Sequence, residues 1–327
     1  MRTWLTERFG LSVPVVAAPM AGVSGGELAA AVSAAGALGM VGIGSEADPR
    51  WVREQRRAAA TAGGPYGAGL LAWSLPDRPQ LLDAVVGEDD DRPVPLPALV
   101  SVSFGDYAAY VPRLQEAGIV VATQAGTVAD ALAAEDAGVD VVVARGGEGG
   151  GHGRDLVATL PLLQAVLERV RLPVLAAGGV GTPRGLAAVL AAGAAGAWVG
   201  TAFLTCREAL TVDRVAAHLA DVDETGTAYG TVFDTASAAG WPAEYGGRAV
   251  RNEFFDTWHG RENELAADRE ALHRYRSARD TADLGAMAVY AGQGVGLLGA
   301  ERRPAAEVVA ELAAAGVLLR DAADRLA

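Results

Sequence analysis

One histidine of this chain lies in a run of glycines directly after a valine-rich segment. Residues 141–143 are three consecutive valines, a run typical of a strand that is buried on both faces. Residues 145–154, called the glycine loop below, read Arg-Gly-Gly-Glu-Gly-Gly-Gly-His-Gly-Arg, with Glu148 and His152 the only ionisable side chains between the two arginines. Glycines permit positive φ angles and let the backbone approach a flat ligand closely. Because parallel α/β folds place their chemistry on loops that follow buried strands, we predict an active-site loop here. The alternative is a flexible surface loop with an incidental histidine.

Two further turns combine glycine with the end of a predicted strand. A strand over Pro173–Ala177 is predicted to run into Gly178 and Gly179, and the next strand along the chain ends in Gly200 and Thr201. In β/α barrels the turns after the last two strands converge, and their uncovered N–H groups bind phosphate. We therefore predict a phosphate site here, with the Thr201 hydroxyl as a further donor. The alternative is that these glycines serve only tight turns.

The first predicted strand, Val13–Ala18, ends in small and uncharged residues. Ala18 is followed by Pro19 and Met20, and then by alanine and glycine. A cofactor with its phosphate at the two turns would extend its ring across the barrel towards this strand end. The residues there suit contact with a flat heterocycle, although the pattern also occurs at ordinary strand ends.

The composition excludes several classes of protein. All 27 basic residues are arginine, which excludes enzymes that depend on a lysine amine, such as Schiff-base aldolases, lysine-anchored pyridoxal enzymes and P-loop nucleotidases. The single cysteine, Cys206, excludes an internal disulfide and a cysteine-cluster metal site, and fits a reducing cytoplasm. The net charge of −13 argues against nucleic acid or an anionic membrane as a partner. Glu148 and His152 are too few ligands for a metal site, so we predict none.

Targeting and membrane segments are not expected from the sequence. The first residues lack the apolar core of a signal peptide, which favours a cytoplasmic location. Residues 28–45 and 185–206 are uncharged over a membrane-spanning length, but each is interrupted by glycines. Each therefore reads better as a helix, a glycine cap and a buried strand. The sequence leaves the oligomeric state open, and a homodimer is the assembly we consider.

The order of the predicted elements indicates an α/β fold. Strands and helices alternate eight times through residues 1–207, with no interruption large enough for a second sheet, and this favours a (β/α)₈ barrel, or TIM barrel, over a doubly wound sheet. Residues 208–287, called the cap below, read as mostly helical, with no clear strand after Val232-Phe233. Residues 288–327 return to the barrel and end in one closing amphipathic helix over 301–326.

Together these motifs resemble the nitronate monooxygenase family, also called 2-nitropropane dioxygenase-like, a group of FMN-dependent barrel enzymes. The resemblance covers essentially the whole chain, and the glycine stretch that ends in Gly-Gly-His is its most specific part. The motifs that carry it are residues 18–22 (Ala-Pro-Met-Ala-Gly), 145–152, 176–180 (Ala-Ala-Gly-Gly-Val), 200–204 (Gly-Thr-Ala-Phe-Leu) and 290–297 (Tyr-Ala-Gly-Gln-Gly-Val-Gly-Leu).

The resemblance implies a non-covalently bound FMN and a catalytic base. It implies that FMN phosphate is held at the two turns, that Met20 and the 292–294 turn lie near the flavin, and that His152 is the base. The cofactor-binding residues predicted on this basis are Ala18, Pro19, Met20, Gly69, Gln124, Arg145, Gly150, Gly151, Gly178, Gly179, Gly200, Thr201 and Gln293.

The activity implied by the resemblance is the oxidation of a small-molecule nitronate or nitroalkane by O₂ to a carbonyl compound and nitrite. A nitroalkane has a weakly acidic C–H bond beside its nitro group, and its anion is electron-rich. An imidazole that titrates near neutrality can take that proton or orient the anion. The protein places the substrate carbon beside the flavin and keeps the pocket dry.

Two departures from the family pattern leave alternatives open. The family usually has Gln where this chain has Arg145, and often Asn where it has Gly69. Arg145 either offers a positive charge to the flavin or substrate, or points into the barrel rim and pairs with Glu148. Close relatives that share the Gly-Gly-His motif include flavin-dependent enoyl-acyl-carrier-protein reductases, which use NAD(P)H and a thioester. A non-catalytic flavin-binding barrel is the third interpretation.

Overall fold

The computed structural model describes residues 1–88, 90–299 and 301–326, and it contains a parallel barrel with a smaller antiparallel sheet at its mouth. Positions 89, 300 and 327, which fall within the predicted barrel ranges, lie outside the described residues. The strands, in chain order, are β1 (Val15–Ala17), β2 (Gly39–Gly42), β3 (Tyr66–Leu71), β4 (Leu99–Ser103), β5 (Val120–Ala125), β6 (Val141–Arg145), β7 (Gly151–His152), β8 (Val174–Ala177), β9 (Gly196–Val199), β10 (Thr227–Gly230) and β11 (Gly247–Val250).

The helices follow the strands in the predicted alternation and then dominate the cap. In chain order they are α1 (Trp4–Phe9), α2 (Gly26–Ala34), α3 (Pro49–Ala60), α4 (Gln80–Val85), α5 (Val111–Glu116), α6 (Val128–Asp136), α7 (Thr159–Leu167), α8 (Pro183–Ala191), α9 (Asp213–Ala220), α10 (Val232–Ser237), α11 (Glu253–Trp258), α12 (Glu262–Ala267), α13 (Arg269–Thr281), α14 (Ala305–Ala313) and α15 (Ala315–Leu326). Short 3₁₀ helices cover Ala72–Ser74, Ala108–Tyr110, Thr201–Phe203 and Gln293–Leu297.

Eight parallel strands form the barrel, which confirms the predicted (β/α)₈ architecture. Their order is β1-β9-β8-β6-β5-β4-β3-β2. A parallel bridge between Val16 and Leu38 brings the two edges together, and Leu38 both accepts from Ala17 N and donates to Val15 O at 2.9 Å. The carboxyl ends of all eight strands therefore meet at one mouth, where barrel enzymes carry their active sites.

The barrel interior is filled by large side chains below its mouth and by small residues at it. Val16, Met40, Leu99, Val143 and Trp198 form part of one buried cluster. Towards the mouth, small residues lie within or directly after the strands, namely Ala18, Gly42, Gly69 and Gly200. The chain that leaves β1 occupies the space that these small residues provide, so it lies across the mouth rather than outside it.

The cap is not purely helical, because it contributes two strands to a second sheet. β10 pairs with β11, and β11 pairs antiparallel with β7, so that Gly247 lies opposite His152. The expectation of no clear strand after Val232-Phe233 was therefore wrong, and these two residues begin α10 instead. A buried aromatic cluster that includes Phe233 and Phe254 supports the cap helices.

Two other sequence expectations can be compared with the fold. The closing segment consists of α14 and α15 instead of one helix. Val308, Val309 and Leu312 of α14 are buried, as expected for its inner side, whereas Val317 of α15, expected on the same side, is 48% exposed. Across the described residues, no helix combines the length and the apolar character that a membrane crossing needs.

Tyr275 of α13 gives the cap a measurable alkaline sensitivity. Burial, together with the charge of Asp234, raises the pKa of Tyr275 from 10.0 to about 12. The folded state keeps a phenol proton that the unfolded chain releases above pH 10, so this contribution to stability is lost as the pH rises from 10 through 12. Between pH 9 and pH 11, the free energy of unfolding of the wild type should fall by about 1 kcal/mol more than that of Tyr275→Phe. Urea titrations at each pH measure this difference. If the free energy of unfolding of the two proteins changed with pH in the same way, Tyr275 would ionise freely in the folded state.

Candidate active site

Arg145 organises the glycine loop from below. Its side chain is buried, and its guanidinium donates to the carbonyl oxygens of Gly149, Gly151 and Arg154 at 2.6, 2.9 and 3.2 Å. Burial lowers the pKa of Arg145 from 12.5 to about 10. The loop thus curls around one guanidinium group, which satisfies carbonyls that glycine-rich backbone leaves without regular partners.

Two other contacts fix the loop to its surroundings. Arg248 of β11 donates from Nε to Gly147 O at 2.8 Å. The carboxylate of Glu148 accepts the amide of Thr159, the first residue of α7, with both oxygens at 3.0 Å. Of the two alternatives for Arg145, a direct ion pair with Glu148 is therefore not the contact that the structure shows, since that carboxylate binds the start of a helix.

The imidazole of His152 is held by a carboxylate and two aromatic rings of the cap and the returning chain. His152 Nε2 lies 2.7 Å from Asp234 Oδ1. The Trp241 ring stacks on the imidazole at a centroid distance of 3.5 Å and an angle of 3°, and the Tyr290 ring lies 5.0 Å away at 47°. His152 is thus placed at the junction of the barrel and the cap, with its side chain 10% exposed.

The two predicted phosphate turns lie side by side. Gly178 and Gly179 both have positive φ angles, 107° and 68°, which only glycine adopts at low cost. A Cβ placed on Gly181 would lie 3.8 Å from that of Ala202, so the turns after β8 and β9 are in contact distance. The amides of residues 179–181 and 201–202 donate to no acceptor in the described part of the chain. These two sets of free donors fit a phosphate group.

Thr201 links the phosphate turns to the chain that returns from the cap. Its Oγ1 accepts the amide of Gly292 at 3.0 Å, which leaves the hydroxyl proton free to donate. Gln293 is exposed, and its amide donates to Glu148 O at 3.0 Å. A Cβ on Gly150 would lie 2.4 Å from Gly292 N, so only glycine permits this approach of the loop to the turn.

The end of β1 forms the floor of the mouth. A Cβ on Gly69 would lie 2.4 Å from Pro19 Cγ, and one on Gly200 would lie 3.5 Å from Met20 Sδ. Ala18 N donates to Val199 O at 2.8 Å and so connects this floor to β9. The missing side chain at Gly69 is explained by Pro19, which fills the space that an Asn side chain would need.

Gln124 is the penultimate residue of β5 and lines a cavity of about 170 Å³ together with Arg145, Phe104, Tyr107 and Tyr245. Gly151 lies in β7 opposite Arg248. The predicted residues therefore ring the barrel mouth, from the phosphate turns across the β1 floor to β5 and the glycine loop.

Three residues at the site were missed by the sequence analysis. Asp234 and Trp241 carry no local signal, because each meets His152 only through the folding of the cap. Tyr290 lies inside a motif that was noted, at the start of residues 290–297, but no role was assigned to it. Its position immediately before the predicted flavin-side turn was the available signal.

Comparison with known proteins identifies the family of this chain. The sequence profile of one family, described as nitronate monooxygenase, matches residues 2–315. The chain belongs to the nitronate monooxygenase family. The resemblance inferred from the motifs is thereby confirmed, and this family member is an oxidoreductase.

Among similar proteins, this nitronate monooxygenase family member has relatives with two kinds of name. It is 34% identical over 215 residues to a (3aS,4S,5R,7aS)-5-hydroxy-7a-methyl-1-oxo-octahydro-1H-indene-4-carboxyl-CoA dehydrogenase of Rhodococcus jostii, covering 66% of this chain and 58% of that protein, which is less than two thirds of its length. It is 31% identical over 291 residues to a probable nitronate monooxygenase of Staphylococcus haemolyticus, covering 77% and 79%.

Solved structures of similar proteins share the whole fold. FabK from Thermotoga maritima superposes with a TM-score of 0.83 at 27% identity, covering 100% of this chain and 98% of that one. A nitroalkane oxidase from Streptomyces ansochromogenes superposes with a TM-score of 0.79 at 31% identity, covering 97% and 99%. Barrel and cap of this nitronate monooxygenase family member are therefore both represented in its structural relatives.

Proposed function

We propose that this protein is an FMN-dependent enzyme that oxidises nitronates or nitroalkanes with O₂ to a carbonyl compound and nitrite. The observation that carries the proposal is the position of His152. Its imidazole lies at the barrel mouth, and the turns after β8 and β9 at the same mouth offer free amides for a phosphate group. The family and the similarity to a nitroalkane oxidase support the reaction class.

The residues around the mouth provide the parts of an FMN site. The free amides after β8 and β9 and the Thr201 hydroxyl would hold the phosphate. Pro19 and Met20 would lie against the ring system, on the floor that the small residues of β2, β3 and β9 make possible. Bound there, FMN would accept electrons from the substrate and pass them to O₂.

His152 is the group that handles the substrate proton in this proposal. A nitroalkane must lose the proton on the carbon beside its nitro group before it becomes electron-rich, and imidazole is the side chain best suited to take it near neutral pH. The Trp241 ring covers one face of the imidazole and keeps that side free of water.

The second candidate is a flavin enzyme that reduces an enoyl thioester with NAD(P)H. The observation in its favour is the similarity to a relative named as a dehydrogenase of a carboxyl-CoA compound. This candidate would hold the flavin with the same phosphate turns and the same residues at the end of β1, but a nicotinamide would supply the electrons.

One set of spectra separates the candidates. We expect the purified protein to be yellow and to release FMN on denaturation. Under anaerobic conditions a preformed nitronate should bleach the flavin, and air should restore the colour with release of nitrite, whereas NADH and NADPH should leave the spectrum unchanged. Bleaching by a nicotinamide alone would favour the reductase. A flavin that neither donor bleaches would identify a non-catalytic barrel, and a colourless protein that takes up no FMN would refute the cofactor.

A further inference from the structure

A carboxylate of the cap is paired with the candidate base. Asp234 lies in the first turn of α10, 82 positions after His152 in the chain, and its Oδ1 is 2.7 Å from His152 Nε2. Both side chains are nearly enclosed, with 10% of His152 and 12% of Asp234 exposed. A hydrogen bond this short and this shielded from solvent restricts both groups far more than a surface pair does.

The contact assigns the proton on the imidazole. An ionised carboxylate can only accept hydrogen bonds, so the ring nitrogen facing it must carry the hydrogen. In the neutral ring, a proton on Nε2 leaves the lone pair on Nδ1. No described residue makes a hydrogen bond with Nδ1, and it is not among the buried polar atoms without a partner, so Nδ1 is accessible and free to accept a proton.

A second donor faces the same carboxylate. Burial, the charge of Asp234 and a hydrogen bond to its side chain raise the pKa of Tyr290 well above the ordinary value of 10.0. A phenol that keeps its proton can donate to a carboxylate, so Tyr290 offers Asp234 a second donor beside His152.

The surroundings prevent the ring from turning over. Trp241 is stacked on one face at 3.5 Å, and Tyr290 packs at an angle from another side. A Cβ on Gly247 would lie 2.6 Å from Tyr290 Cε1 and 3.4 Å from His152 Nε2, so the glycine in β11 makes room for this arrangement. Exchange of the two ring nitrogens would require the cap to move away.

We propose that Asp234 is a positioning residue for His152, which holds the proton on Nε2 and so makes Nδ1 the atom that receives the substrate proton. The carboxylate then lies beside the imidazolium that this transfer creates and stabilises its charge. The inference rests on the proposed function for its kinetic consequence, but the assignment of the ring proton stands independently of any substrate.

The direct test is the tautomer of His152 in the FMN-loaded protein. The chain has four histidines, so ¹⁵N-labelled histidine gives a small set of long-range ¹H–¹⁵N correlations, in which His152→Gln identifies the signals of His152. We expect the wild type to show the proton on Nε2. In Asp234→Ala the preference for that tautomer should be lost.

Kinetics with Asp234→Asn and Asp234→Glu test the consequence. Asp234→Asn should lower kcat by about 10- to 100-fold, the rate equivalent of losing one charge-assisted hydrogen bond, with KM changed less than about threefold. Asp234→Glu should recover part of the rate. The matched control is Glu262→Gln, which removes the carboxylate that lies 3.8 Å from His259 Nδ1 in the cap and should leave kcat unchanged.

Two results would overturn the inference. A wild-type spectrum with the proton on Nδ1 of His152 would refute the assignment, even if no Asp234 variant folds. An Asp234→Asn enzyme with unchanged kcat would refute the positioning role. If the wild type oxidises no nitronate but shows the Nε2 proton, the proposed function fails while the assigned pair stands.

Discussion

Replacing His152 with alanine is expected to lower turnover of a neutral nitroalkane by about 10²- to 10⁴-fold, the usual contribution of a positioned general base. The yellow colour should remain, because the phosphate turns and the floor of the mouth do not depend on the imidazole. A preformed nitronate has already lost its proton, so its oxidation should fall less than that of the parent nitroalkane. Steady-state rates with the two forms of one compound measure this difference.

The matched control for this variant is His273→Ala, which removes an exposed histidine from the cap. Its rates with both forms of the substrate should equal those of the wild type. Equal losses for nitroalkane and nitronate in His152→Ala would contradict a role in proton removal and favour one in binding the anion. An active His152→Ala enzyme would refute the assigned base.

Replacing Arg145 with glutamine, the residue usual in the family at this position, is expected to lower kcat by about 100-fold, because displacement of a catalytic group by about 1 Å has an effect of this size. Glutamine cannot reach the three carbonyls that the guanidinium holds, so the glycine loop should lose its shape. The free energy of unfolding of Arg145→Gln should change little, because two effects oppose each other. The lost hydrogen bonds weaken the fold, but the substitution also removes a buried charge whose pKa is lowered from 12.5 to about 10, equivalent to about 3 kcal/mol.

The measurements that check this are kcat, the unfolding free energy and hydrogen exchange of the amides of residues 146–153. We expect faster exchange in the loop together with an unfolding free energy within about 2 kcal/mol of the wild type, because the two opposing terms are of similar size. Arg169→Gln, at an exposed arginine, is the control and should change none of the three. A loop that exchanges as slowly as in the wild type would show that Arg145 does not organise it.

The barrel and most of the mouth were predictable because their signals are local. Most barrel strands are short apolar runs followed by glycine or alanine, and the motifs at residues 18–22, 145–152, 176–180 and 200–204 lie at the ends of such runs. The position of Gly69 against Pro19 was not predictable, since it depends on the path that the chain takes after β1.

The two cap strands, β10 and β11, and the contact of His152 with Asp234 could not be predicted from the sequence, for a different reason. β10 and β11 are four residues each and contain glycine, so they lack the β-branched run that marks a strand. The pairing of β11 with β7 joins segments that are far apart in the chain. An aspartate in the first turn of a helix normally needs no explanation beyond that helix, and only the folded cap shows which histidine it faces.

The pairing of β7 with β11 has a consequence for protein engineering. The strand that carries His152 lies between the barrel strands β6 and β8 in the chain, but among the described residues its sheet partner is β11 of the cap. A chimaera that imports this segment from a relative, in order to acquire a new substrate, would also replace the partners that orient the imidazole. We therefore expect substrate selectivity and reactivity to be transferred together, and grafts should include the donor's equivalents of the glycine loop and β7.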